Sequence, residues 1–158
     1  MGPFASIRGR DVVRVAGPDA VTFLQGQLSQ DVAAIAPGAS AWSLLLQPQG
    51  KVEAWVRVHR LAADAVLVEV DAGWGPAVLT RLRRFHLRVD CTLEAEDGWS
   101  CVEVRGDGAD AVAPAAGDLV APSIWPSAAG VDLLGRPATV PDGVSVDATS
   151  VEDLRVRA

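Results

Sequence analysis

The carboxylate best placed for chemistry is Asp71, which follows the apolar run Ala65–Val70 and stands near Gly73, Trp74 and Gly75. A turn or a helix cap is the plainer use of an aspartate there. A second unusual position is Trp55. It lies on an expected strand in which Val52, Ala54, Val56 and Val58 share one face and Glu53, Trp55, Arg57 and His59 the other. A tryptophan among charged residues on a polar face points to a covered cleft or a contact surface rather than open solvent. Four arginines, Arg81, Arg83, Arg84 and Arg88, could hold an anion such as a carboxylate tail or a phosphate. The same pattern equally suits the solvated face of an amphipathic helix.

Other chemistries find little in the chain. There is no Gly-rich phosphate loop, and no serine or cysteine nucleophile stands near an evident base. Asp97-Gly98 reads as the turn of a hairpin between residues 89–94 and 99–105. In that register Cys91 faces Val104 rather than Cys101, so a disulfide is not expected. Together with His59 and His86, the two cysteines also lack ligand spacing, and no intrinsic metal site is expected.

The elements that must position these residues centre on a hairpin over 41–60, with Gln47-Pro48-Gln49-Gly50 as its turn. Its first arm, with Trp42, Leu44 and Leu46 on one face, is apolar on both sides and therefore expected in mid-sheet. Ala65–Val70 supplies a third antiparallel strand, and Asp11–Ala16 an earlier one. Gly17-Pro18-Asp19 opens a helix that buries Val21, Phe23, Leu24 and Leu28, with Gly26 inside it either packed closely on the sheet, the favoured reading, or leaving room for a ligand. A second helix follows Gly75-Pro76, with the stripe Val78, Leu79, Leu82 and Phe85. Residues 106–148 are rich in loop formers, with Ile124-Trp125 as an anchor. At 149–158 a helix begins that Thr149 or Ser150 could cap.

Composition sets the limits. With 158 residues, 49% of them hydrophobic, the chain reads as a single domain over 1–158 with a proper core. A net charge of −6 argues against a general nucleic-acid or anionic-membrane binder. No apolar leader core and no run of membrane-spanning length occurs, so the cytoplasm is the expected location. No internal repeat is visible.

Three ordered pieces carry a resemblance: Val15–Val32 (VAGPDAVTFLQGQLSQDV), Leu44–Val52 (LLLQPQGKV) and Leu82–Arg88 (LRRFHLR). Together they resemble the YgfZ family of folate-binding proteins, relatives of the T-protein (aminomethyltransferase) of glycine cleavage. The similarity extends over nearly the whole chain but only the N-terminal half of a usual family member. Val151–Ala158 resembles the family's mid-protein helix, whereas its K-G-C-Y-x-G-Q-E stretch has no counterpart. The resemblance implies an α+β fold, a mainly antiparallel sheet with two packed helices. It also implies tetrahydrofolate or a one-carbon derivative as ligand, and a role in assembling or repairing iron-sulfur proteins. Carried over by position, the folate-binding residues would be Trp42, Trp55 and Asp71, with no catalytic residue. Trp55 stands where T-protein relatives have an aspartate, and an indole cannot act as a base. Aminomethyl transfer is one alternative expectation. A ligand-free module or homodimer working through protein contacts is another.

Overall fold

The computed structural model of the chain describes residues 2–125 and 128–150. Two compact units result, one from Arg10 to Asp97, the other from the residues up to Gly9 together with those from Gly98 on. Strand β1 (Phe4–Ala16) contributes a half to each.

In the first unit, the second half of β1 pairs antiparallel with β4 (Ala65–Asp71) on one edge and β5 (Thr92–Glu96) on the other. Beyond β4 come β3 (Val52–Ala62) and then β2 (Ser40–Leu46), all antiparallel. These segments become strands because apolar residues, β-branched valines in β1, β3 and β4 and leucines in β2, recur at every second place and fill a half-buried pleated face. Val13, Val15, Leu45, Val56, Val58, Val66 and Val68 form that face. It packs on α1 (Ala20–Gln25) and α2 (Gly75–Arg84) through Leu24, Val78 and Leu82, and on Leu28 just after α1. Each such side chain contributes about 1.5–3 kcal/mol when fully buried.

In the second unit, Phe4–Gly9 pairs antiparallel with β6 (Ser100–Arg105), β6 with β8 (Gly130–Gly135), and β8 with β7 (Leu119–Pro122). The short β9 (Ser145–Val146) runs parallel to the start of β1. Ala5, Val102, Val104, Ala109 and Leu133 make its core. Arg105, almost wholly buried, is neutralised by Asp132 at 2.7 Å. At Gly130 (φ +156°) a Cβ would fall 2.1 Å from the Val104 carbonyl oxygen, so only glycine fits.

The expected α+β architecture, a mainly antiparallel sheet with two helices, is the one observed. Four local readings need correction. First, β2 lies at the end of the strand order, not in its middle. On its outward side Trp42 packs against Trp55 of β3. Second, β5 and β6 do not pair with each other. Each takes a different half of β1, because Leu93 belongs to one core and Val102 and Val104 to another. Both cysteines are buried, Cys91 within the core of the first unit.

Third, α1 stops at Gln25 with Gly26 as its C-cap, and a Cβ on Gly26 would meet nothing closer than 3.6 Å. Helix termination, not close packing, accounts for that glycine. Fourth, the 106–148 stretch holds β7, β8 and β9 as well as loops, and Ile124 and Trp125 within it are half-buried. Ahead of Ser150, Asp147 accepts the Ser150 N–H at 3.0 Å, so the capping side chain precedes the expected ones. Residues 151–158 of the expected terminal helix lie outside the described residues. Among the described residues no helix is long and apolar enough to cross a membrane.

Candidate functional site

The face of the first unit's sheet opposite its core carries the residues singled out in the sequence. Period-two alternation sends Trp42, Trp55, Arg57, His59, Glu69, Asp71 and Arg10 to that side. Register then sets them in rows. Trp42 lies opposite Arg57, and Arg57 opposite Glu69, which forms one rung across β2, β3 and β4. Arg10 lies opposite Asp71. Directly opposed residues on neighbouring strands are about 5 Å apart at Cβ, within reach of side-chain contact.

Glu69 is the centre of the rung and is wholly buried. Arg57 donates to it through Nε at 2.7 Å and Nη2 at 2.9 Å. Arg10 Nε donates at 2.7 Å, and His59 Nε2 stands 2.6 Å from the other carboxylate oxygen. Burial alone would raise the Glu69 carboxyl. The bond from His59 and the charges of Arg57 and Arg10 outweigh that and hold its pKa well below the usual carboxylate range. For His59, burial dominates and lowers the pKa despite the attraction of Glu69. The imidazole is therefore neutral at pH 7 and donates its Nε2–H to the carboxylate. Each buried charge of the set is thus paired and hydrogen-bonded, which offsets part of its desolvation cost.

Trp42 and Trp55, diagonal neighbours on β2 and β3, bring their rings within 4.7 Å at a 39° tilt. The Arg57 guanidinium carbon lies 5.0 Å from the Trp42 ring centre, a cation–π contact. Trp42 is half-buried, and its indole Nε1 is buried without a hydrogen-bond partner. Trp55 is 42% exposed. A pocket of about 270 Å³ opens beside it, lined by Trp55, Asp71, Trp74, Glu53 and the strand residues between them. The Asp71 side chain is 71% exposed and accepts a bond from Arg10 Nη1.

Of the three residues singled out in the sequence, Trp55 and Asp71 thus share a pocket, and Trp42 joins them by stacking on Trp55. The covered cleft expected around Trp55 does not enclose that residue, whereas its strand neighbours Arg57 and His59 are 2% and 3% exposed. Sequence reasoning missed Glu69 as the hub. Its signal was a lone acid within the apolar run Val66-Leu-Val-Glu-Val70. It missed Asp11 as well, whose Oδ2 accepts the Gly73 and Gly75 N–H groups at 2.9 and 2.8 Å and fixes the start of α2 beside the pocket. The arginine group divides. Arg83, Arg84 and Arg88 are exposed, whereas Arg81 is buried, bonded to Gln27 and to the Leu46 carbonyl and stacked on Phe85.

An antiparallel α+β fold whose sheet carries a tryptophan pair above a buried charge cluster is the class that these features define. The chain belongs to the GCVT N-terminal domain family, which matches residues 9–121. It is 27% identical over 114 residues to an uncharacterized protein of Haemophilus influenzae, covering 72% of this chain and 40% of that protein. It is 31% identical over 96 residues to the mitochondrial iron-sulfur cluster assembly factor IBA57 homolog of Mycosarcoma maydis, covering 53% and 24% respectively. An aminomethyltransferase of Bacillus velezensis is 31% identical over 108 residues, covering 63% and 27%. The chain therefore spans less than half the length of these curated relatives. In fold it resembles the crystal structure of glycine cleavage system aminomethyltransferase T from Bartonella henselae. The TM-score is 0.70 at 20% identity, over 96% of this chain and 45% of that one.

Proposed function

We propose that this domain binds tetrahydrofolate or a one-carbon derivative, and serves the assembly or repair of iron-sulfur proteins as a non-catalytic accessory in the cytoplasm. The observation that carries the reading is the Trp42–Trp55 pair beside the pocket that Trp55 shares with Asp71. A flat heterocycle stacks on an exposed indole face, gaining about 0.5–1.5 kcal/mol beyond its buried area. The amide and amine edge of a pterin donates hydrogen bonds, and Asp71 is an exposed acceptor held in place by Arg10.

The iron-sulfur part of the reading is supported by the likeness to the IBA57 homolog, the one-carbon part by the likeness to aminomethyltransferases. A second reading, aminomethyl transfer, is favoured by the latter relative alone. Trp55 weighs against it because an indole neither takes a proton nor holds developing charge as a carboxylate does. Glu69 cannot substitute, since all its acceptor positions are engaged.

Calorimetric titration with 5-formyltetrahydrofolate tests the proposal. Saturable heats, weakened at least tenfold by Trp42→Ala and by Asp71→Ala, are the expected result. Flat heats up to millimolar ligand, a binding free energy weaker than about −4 kcal/mol, would refute it. Turnover of a one-carbon donor by the same preparation would favour the enzymatic reading.

A further inference from the structure

We infer that Glu69 is the positioning residue of this site, holding Arg57 against Trp42 and Arg10 against Asp71, so that one buried carboxylate sets both the aromatic wall and the polar edge. The inference rests on the folate reading of Trp42, Trp55 and Asp71. A carboxylate offers about four acceptor positions, and here four donors fill them. Oε1 takes Arg57 Nη2 and Arg10 Nε, while Oε2 takes Arg57 Nε and His59 Nε2.

Each contact has a geometric consequence. The two-pronged bond fixes the plane of the Arg57 guanidinium, which then lies 5.0 Å from the centre of the Trp42 ring. Using Nε of Arg10 for Glu69 leaves Nη1 directed at Asp71. His59 closes the last position from the same strand as Arg57 and prevents the carboxylate from turning. Neither Trp42 nor Asp71 touches Glu69 through a hydrogen bond of its own, so Glu69 acts on both through the arginines.

Glu69→Gln is the informative change because it keeps shape and removes one acceptor. With the NH2 group in the place of Oε1, both guanidinium contacts there become donor against donor; in the place of Oε2 the Arg57 Nε contact does, while a neutral His59 can turn Nε2 into an acceptor. The expected result is a folded protein with cooperative urea unfolding, an altered tryptophan exciton couplet in circular dichroism, and at least tenfold weaker binding of 5-formyltetrahydrofolate. The couplet is assigned by its loss in Trp42→Ala. Leu24→Ala, a core change on α1, is the control: it lowers stability and leaves couplet and affinity unchanged.

A folded Glu69→Gln with wild-type couplet and affinity would overturn the inference. Should that variant not fold, Arg57→Lys replaces it, keeping the charge and losing the planar fork; the same two losses are expected, and wild-type behaviour overturns. If the wild-type protein itself gives flat heats, the folate reading fails. The couplet then still decides whether Glu69 sets the tryptophan pair, and an unchanged couplet in the variant overturns that too.

Discussion

Glu69 and Arg57 are cross-strand partners joined by two hydrogen bonds, and both side chains are almost entirely out of water. A pair in this position contributes through what happens when it is broken. Burying both ions costs several kcal/mol apiece, and their attraction mainly offsets that cost. Removing one partner leaves the other charge stranded.

Arg57→Met is therefore expected to lower unfolding free energy by about 3 kcal/mol, the lower end for a broken buried pair because Arg10 and His59 remain on Glu69. Urea unfolding at neutral pH measures it. A loss below about 1 kcal/mol, the level of an exposed pair, would mean that the guanidinium is solvated in solution.

Acid should weaken the fold in two stages of the same sign. The folded His59 pKa lies below its ordinary 6.5, so the unfolded chain binds that proton first, and stability falls as pH drops through 6.5. The folded Glu69 pKa lies below its ordinary 4.5, so its contribution is complete above 4.5 and is lost as pH falls further. Unfolding midpoints across pH 2–8 check this, and His59→Gln is expected to flatten the upper stage. Unchanged midpoints between pH 7 and 5 would contradict a neutral buried imidazole.

Asp11→Ala removes the acceptor for the Gly73 and Gly75 N–H groups at the start of α2. The expected cost is about 1 kcal/mol, as for other lost helix N-terminal acceptors. Because Trp74 lies between the two glycines and lines the pocket, affinity for 5-formyltetrahydrofolate should fall as well, and calorimetry reads that loss separately from stability.

Much of this fold was legible because period-two alternation and turn residues are local signals. The hairpin of β2 and β3, strand β4 and helix α2 all follow from them. What stayed hidden depends on pairing between distant segments. Nothing near Asp97-Gly98 says that β5 and β6 pair with opposite halves of a thirteen-residue β1. In the site, Trp55 betrayed itself by standing among charges. Glu69 became significant only when register set it against Arg57 and next to Arg10, residues 12 and 59 positions away.

Trp55→Ala separates binding from stability. Its ring is 42% exposed and its main aromatic neighbour is Trp42, so the change should cost about 1 kcal/mol of stability. Ligand affinity should drop by tenfold or more. Equal affinity in wild type and variant would remove Trp55 from the site.

The most direct measurement is a set of tryptophan indole N–H resonances recorded while 5-formyltetrahydrofolate is added, with Trp42→Phe and Trp55→Phe providing the assignments. The account requires saturable shifts at Trp42 and Trp55, with Trp99 and Trp125 of the other unit unmoved. Resonances that stay in place up to millimolar ligand, or shifts confined to Trp99 and Trp125, would contradict a folate site on this face.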